Sequence, residues 1–352
     1  MTELDLILDA LGRLRPGGTP AVLATLMKVA GSAYRGPGAR MAVLPDGTTV
    51  GAISGGCLEK DVVAHAERVR QSGQPLAVSY DLTTDDDMPW GLNMGCAAKL
   101  DVFLEPVPTG RAPEHLVFVL DQVARREPAV VATLFRAPAG VPARVGARLL
   151  VRGDGHVTGD VGGGDLGGSV KTDALRVLRE ERSDAVAYRL PEGEAEVLIE
   201  YVPCPIALVI CSAGNDAGPL AELGARLGWQ VRAVGKDDPL GPLDERTAAV
   251  IMTHNYARDL ELLGRLLPSE ARFVGLLGPR ARTERLLADL AARGATPNTV
   301  ELLRLHAPVG LDIGAETPEE IALAIAAEIR ATLAGRAGGR LRDRKGPIHD
   351  RR

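Results

Sequence analysis

At 352 residues, with 45% hydrophobic and 25% charged residues, the chain has the composition of a folded protein of two or three domains, and wholesale disorder is excluded. A net charge of -5 argues against a general nucleic-acid partner, and aromatic residues at 3% leave few platforms for stacked bases. No run approaches the roughly eighteen apolar residues of a membrane span, and the start Met1-Thr2-Glu3-Leu4-Asp5 is acidic where a secretory signal is basic, so a cytoplasmic protein with no membrane contact is expected. The four cysteines, Cys57, Cys96, Cys204 and Cys211, have no Cys-x-x-Cys spacing and are expected to be reduced thiols, neither a disulfide framework nor structural zinc ligands.

Leu4, Ile7, Leu8, Leu11 and Leu14 recur at helical spacing and stop at Pro16-Gly17-Gly18, which predicts an N-terminal amphipathic helix. Residues 20–30 and 38–44 read as strands, and Pro45-Asp46-Gly47 turns the chain into a third over 48–53. That strand breaks at Ser54-Gly55-Gly56-Cys57-Leu58-Glu59 into a helix over 58–73. Backbone N–H groups and a thiol then share a small volume, the arrangement of an anion-binding helix start that carries a soft nucleophile or metal ligand. Strands follow at 76–82 and 99–105, and between them Trp90-Gly91-Leu92-Asn93-Met94-Gly95-Cys96 is a glycine-flanked loop whose thiol is a candidate second contact.

The same α/β unit returns 108 residues later. Residues 20–82 against 128–190 share 24 identities in 63 positions without a gap, including Pro20-Ala21-Val22 with Pro128-Ala129-Val130, Gly38-Ala39-Arg40 with Gly146-Ala147-Arg148, and Tyr80 with Tyr188. This is an internal duplication. Cys57 is answered by Asp165 beside Gly162-Gly163-Gly164, and Glu59 by Gly167. The loop of Cys96 is shorter in the second copy, where Asp101–Glu105 realigns with Glu196–Glu200. Both thiols are lost together, which favours a functional first copy and a degenerate second one over two ordinary core cysteines, with drift as the competing explanation. The expected division is residues 1–110, the degenerate copy 111–202, a third domain 203–334 and a basic tail 335–352.

In the third domain a strand over 206–211, the turn Ser212-Ala213-Gly214-Asn215-Asp216-Ala217, a helix to Gly228 and a strand over 230–234 follow the order of a Rossmann-like dinucleotide-binding unit, with Asp237 and Asp238 just beyond. The glycine fingerprint is incomplete, Ser212 standing where its first glycine belongs, so NAD(P) binding has weak support. Further strands over 248–252 and 272–277 alternate with helices over 256–267 and 281–293, a parallel-sheet pattern. Its strand ends would bring Gly214, Asn215, Asp237, His254, Asn255, Gly278 and Arg280 to a nucleotide crevice, although a strand-end histidine can equally serve packing. The loop from His306 to Glu316 is punctuated by glycines and ends in Thr317-Pro318-Glu319-Glu320, a helix cap, and its His306, Asp312 and Glu316 are read as lining a site.

Together, Gly31-Ser32-Ala33-Tyr34-Arg35-Gly36-Pro37-Gly38-Ala39-Arg40-Met41, Ser54-Gly55-Gly56-Cys57-Leu58-Glu59, Gly275-Leu276-Leu277-Gly278 and the stretch from Leu305 to Glu320 resemble the xanthine dehydrogenase accessory protein family, XdhC/CoxI. The resemblance implies a chaperone that binds the molybdenum cofactor (molybdopterin), keeps it available while a cysteine desulfurase supplies its sulfur, and delivers it to a xanthine dehydrogenase-type molybdoenzyme. It also implies a homodimer. On that reading Arg35, Ser54, Gly55, Gly56, Cys57, Glu59, Cys96, His306, Asp312 and Glu316 are candidates for cofactor binding, with Cys57 and Cys96 as molybdenum contacts. No catalytic residue is assigned. The rival readings are an NAD(P)-dependent oxidoreductase with a cysteine at a domain interface, and a structural partner of a molybdoenzyme with inert thiols.

Overall fold

A computed structural model of the chain describes residues 2–31, 33–82, 98–141, 143–212, 214 and 217–345. The chain divides into two compact units with bodies at Glu3–Cys204 and Pro205–Ile348. The first begins with α1 (Glu3–Gly12), β1 (Ala21–Gly31), β2 (Arg40–Val43), β3 (Thr49–Gly51), α2 (Glu59–Ser72), β4 (Leu76–Asp81) and β5 (Ala98–Val107). It repeats them as α3 (Glu114–Arg125), β6 (Ala129–Arg136), β7 (Arg148–Arg152), β8 (Val157–Asp160), α4 (Gly164–Glu180), β9 (Asp184–Leu190) and β10 (Gly193–Val202). Both sets form antiparallel five-stranded sheets in one topology, β3-β2-β1-β5-β4 and β8-β7-β6-β10-β9. The duplication expected from the sequence is thus the architecture of this unit.

Each sheet is covered on both faces, which is why β1 and β6 read as unbroken apolar runs instead of alternating ones. Val22, Ala24 and Leu26 of β1 pack under Val62, Ala66 and Val69 of α2. Their alternates Ala21 and Leu23 pack against Ile7 and Leu11 of α1. In the second copy Val130, Ala132 and Leu134 meet Leu166, Val170 and Val177 of α4 in the same way.

The two copies pack on each other about a pseudo-twofold axis. Arg40 of the first copy pairs with Glu200 of the second, and Arg148, the counterpart of Arg40, pairs with Glu105, the counterpart of Glu200. Lys28 reaches Glu196 at 3.0 Å while its counterpart Arg136 reaches Asp101 at 2.8 Å. Between these pairs lie Met27, Phe103 and their equivalents Phe135 and Leu198 in one buried cluster. Such reciprocal pairing is the signature of an isologous contact, here made within one chain. Gly38 is required at its edge: its φ is +90°, and a Cβ would lie 2.5 Å from Glu200 Oε1.

His115 of α3 is buried beside this contact, and its imidazole is held well below the usual histidine range, first by burial and then by the guanidinium groups of Arg148 and Arg40. The folded protein therefore keeps it neutral, whereas the unfolded chain takes up a proton below about pH 6.5. The stabilisation is complete above that pH and is lost as pH falls, at about 1.4 kcal/mol per pH unit. His115→Leu is expected to flatten that part of the profile, which urea unfolding at neutral and mildly acidic pH measures.

The second unit contains β11 (Ala207–Ser212), α5 (Ala217–Arg226), β12 (Gln230–Val234), β13 (Thr247–Met252), α6 (Tyr256–Leu266), β14 (Phe273–Leu276), α7 (Arg280–Ala292), α8 (Thr299–Leu303), β15 (Leu305–His306) and α9 (Pro318–Leu333). Its sheet is parallel throughout, in the order β12-β11-β13-β14-β15. Leu208, Ile210 and Val250 face Leu220 of α5 and Ile325 of α9, while Val209, Ala249 and Ile251 face Leu260 and Leu263 of α6 and Leu286 of α7. The unit is therefore doubly wound. Thr317 and Glu320 form the reciprocal cap expected of their spacing, with Pro318 in the first turn of α9. The two-residue strand β15 and the single-turn α8 carry no sequence period and are found only in the structure. Residues 335–345 of the tail are mostly exposed. Among the described residues no helix is long and apolar enough to cross a membrane.

Candidate functional site

The chain leaves β3 and does not enter α2 until Glu59, because residues 54–58 are held in a closed turn. The Ser54 hydroxyl accepts hydrogen bonds from the Gly56 and Leu58 N–H groups at 3.2 and 3.3 Å, and donates to Glu59 Oε2 at 2.5 Å. The Glu59 carboxylate also accepts from the Ser54 N–H at 3.0 Å and the Leu58 N–H at 3.1 Å. Gly56 turns the corner at φ +109°, in the region that favours glycine. Cys57 is carried at the apex, half-buried, with Sγ 3.5 Å from Ser54 Oγ, while Gly55 and Gly56 are exposed.

This geometry narrows which N–H groups of the turn are open to a ligand. The N–H groups of Gly56 and Leu58 already have acceptors, and the Glu59 carboxylate lies at the helix start. Among the described residues the Gly55 and Cys57 N–H groups have no acceptor.

The duplicate shows what the clamp does. There α4 starts at Gly164, the counterpart of Gly56, three residues earlier in register than α2. Asp165, in place of Cys57, lies within the first helical turn. A side chain at Gly167, the counterpart of Glu59, would put Cβ 2.4 Å from the Gly162 carbonyl oxygen. The longer helix and the glutamate clamp are mutually exclusive, so Ser54 and Glu59 keep Cys57 out of the helix.

Arg35 reaches Glu3 with both guanidinium nitrogens, at 2.5 and 3.2 Å, and Glu3 also accepts from the Ala52 N–H at 3.0 Å. Arg35 thus ties α1 to the chain entering the turn. Cys96 lies outside the described residues. Three polar residues that the sequence reading did not single out for the site meet one another in this copy: Asp61 and His65 of α2, and Tyr80 of β4. The Tyr80 hydroxyl donates to Asp61 at 2.7 Å, and His65 Nε2 lies 3.2 Å from the same carboxylate. Burial, and then the Asp61 carboxylate, hold the Tyr80 phenol well above its ordinary pKa. The four-residue spacing of Asp61 and His65 within α2 was the available signal.

Cys204 and Cys211 are buried; the Cys204 thiol donates to the Arg126 carbonyl at 3.1 Å, and burial pushes Cys211 up to about 11. Cys57 is therefore the accessible thiol among the described residues. No group of three or more His, Cys, Asp or Glu among them could hold a metal ion.

In the second unit a crevice of about 350 Å³ opens at the carboxyl ends of β11, β12 and β13, lined among the described residues by Ser212, Gly235, Lys236, Thr253, Asn255 and Arg258, with Glu261 at its wall. Of the residues assigned to it from sequence, Asn255 lines it, and its side chain also caps α6 by accepting from the Arg258 N–H at 3.0 Å. Gly214 is exposed, and Asn215 lies outside the described residues. Asp237 is exposed and is not among the residues lining the crevice, where the end of β12 places Gly235 and Lys236. His254, exposed at φ +55°, Gly278 and the exposed Arg280 do not line it either.

Residues 306–316, read from sequence as lining a cofactor site, are placed apart from this crevice. His306 stacks on Phe273 with centroids 4.0 Å apart, and its Nδ1 lies 2.9 Å from Glu328 of α9. Burial alone would raise the Glu328 carboxyl, but its hydrogen bonds from His306 and from the Gly310 N–H at 2.7 Å outweigh that and hold it below its usual range. The histidine thus ties β15 to α9. Asp312 and Glu316 are exposed and, like His306, do not line the crevice.

A family model described as "XdhC and CoxI family" matches residues 14–81 and again 122–189, the two copies, and one described as "XdhC Rossmann domain" matches residues 208–329. A Bacillus subtilis (strain 168) protein named as a probable xanthine dehydrogenase subunit is 29% identical over 337 residues, covering 89% of this chain and 93% of that one. The molybdenum cofactor insertion chaperone PaoD of Escherichia coli (strain K12) is 24% identical over 315 residues, covering 89% and 83%. A crystal structure described as a xanthine dehydrogenase from Bacillus halodurans superposes with a TM-score of 0.72 at 29% identity, over 96% of this chain and 97% of that one. With both copies and the parallel-sheet unit matched, the chain belongs to the XdhC and CoxI family.

Proposed function

We propose that this protein is an accessory factor for a xanthine dehydrogenase-type molybdoenzyme, which binds the molybdenum cofactor and hands it to that enzyme. The observation that carries the reading is Cys57, an accessible thiol held out of its helix by a clamp that the duplicate has given up. The relative named as a molybdenum cofactor insertion chaperone and the family match support the same role. The donor set suits a metal that arrives already ligated by its pterin, since one thiol is offered and no cage of three or more ligands is formed among the described residues. When bound, the cofactor supplies a soft metal and an anionic phosphate end. Cys57 would give the thiolate, and the unengaged N–H groups of Gly55 and Cys57 would face an oxygen of the ligand.

Sulfuration of the cofactor by a cysteine desulfurase while it is held, a cytoplasmic location and a homodimeric state belong to the same proposal. The test is to produce the protein beside a molybdopterin source and to measure molybdenum and pterin in the purified material. Both are expected in comparable amounts, approaching one per site, and transfer should restore activity to a cofactor-free xanthine dehydrogenase. A wild-type protein that carries neither would overturn the reading.

A further inference from the structure

We propose that the crevice at the carboxyl ends of β11, β12 and β13 seats a phosphate group of a ribonucleotide, with Lys236 as the cation that recognises it. This does not depend on the reading of the Cys57 turn. The sheet order places a topological switch between β11 and β13, because the chain leaves β11 for β12 on one side and crosses to β13 on the other. Open parallel sheets bind ligands at such a point. The crevice volume of about 350 Å³ lies at the lower end of the range for small-molecule sites.

The charge of the crevice selects the ligand. A nucleotide recognised through a free ribose diol needs a carboxylate at the end of the second strand. Here β12 ends in Val234 and continues as Gly235-Lys236, so the first position has no side chain and the second an ammonium group, which has no ion-pair partner among the described residues. The aspartates that follow are not offered to a diol: Asp237 is exposed outside the lining, and Asp238 accepts from the Gly235 N–H at 2.9 Å. Glu261 is the carboxylate among the described lining residues, and it is engaged by Arg258 at 2.8 Å and Arg265 at 3.5 Å. Arg258 is held in place by the Gly235 carbonyl as well, at 3.4 Å. The Ser212 hydroxyl also lines the crevice, at the end of β11, where it accepts from the Gly214 N–H at 3.1 Å. A wall with compensated carboxylate, a lysine and a hydroxyl favours a phosphate over a diol, with Lys236 acting as a point charge.

The phosphate could be the 2′-phosphate of a dinucleotide or the 5′-phosphate of a mononucleotide, and calorimetry on the full chain distinguishes them with two matched pairs, NADPH against NADH and 5′-AMP against adenosine. The phosphorylated member of at least one pair is expected to bind about tenfold or more tighter, with the preference shrinking as salt rises. A preference within the first pair assigns the 2′-phosphate, and one confined to the second assigns the 5′-phosphate. Lys236→Ala should abolish the preference and Lys236→Arg should restore most of it. Because Lys236 is exposed, neither change threatens the fold. The proposal is overturned if phosphate makes no difference in either pair, if no probe binds at low salt, or if Lys236→Ala keeps the wild-type preference.

Discussion

Cys57→Ala is expected to lower the molybdenum retained by the purified protein by about tenfold or more, and Glu59→Ala to lower it nearly as far with the thiol still present. The second result is the more informative. Glu59 takes hydrogen bonds from the Ser54 N–H, the Ser54 hydroxyl and the Leu58 N–H, and those contacts stop α2 from extending toward Gly56. Without the carboxylate the turn has the freedom its duplicate used, where the helix begins at Gly164 and the residue in place of Cys57 lies within its first turn. Glu59→Gln keeps only part of the acceptor set and should fall between alanine and wild type. Molybdenum and pterin content, the rate of thiol labelling at Cys57 and an unchanged cooperative unfolding transition are the measurements. Wild-type molybdenum content in Glu59→Ala would remove the clamp from the account, and wild-type content in Cys57→Ala would remove the thiol.

Glu200→Ala is expected to destabilise the first unit by about 3–5 kcal/mol, and Glu105→Ala by a similar amount. Each removes the carboxylate from a largely buried pair, with side chains only 11–16% exposed, and leaves the arginine without its ion-pair partner. The similarity of the two losses follows from the pseudo-twofold relation between Arg40–Glu200 and Arg148–Glu105. Paired truncation of Arg40 with Glu200 should cost less than the sum of the single changes, because no lone buried charge remains. Urea unfolding followed by circular dichroism measures all of these. Losses below about 1 kcal/mol would mean that water already screens the pairs.

The duplication was legible because 24 identities survive in register, and the parallel order of the second unit because apolar runs alternate with helical periods between glycine and proline stops. What the sequence withheld was pairing across distance. Nothing local to Arg40 says that its partner is Glu200, 160 residues on, and the reciprocity of the two pairs appears only when the copies are docked. At the turn, the glycines followed by a helix are visible in the sequence, but not that a serine hydroxyl and a carboxylate five residues apart fold back to take its N–H groups. Counting residues past a strand likewise does not say which of Gly235, Lys236 and Asp237 the end of β12 turns inward. His306 stands among glycines in the sequence, and its stacking on Phe273 and its bond to Glu328 appear only in the structure.

The docking of the two copies has a consequence for how this site was free to arise. In a dimer of identical chains every substitution is made twice, so a thiol turn on one half must stand on the other, and association weakens with dilution. Here both halves share one chain: each meets its partner at an effective concentration fixed by the connecting segment, and the contact persists however dilute the protein. Asymmetry then costs nothing in assembly. One half can shorten its loop, lengthen its helix over the glycines and serve as a permanent wall, while the other keeps a single cysteine at the apex of a clamped turn.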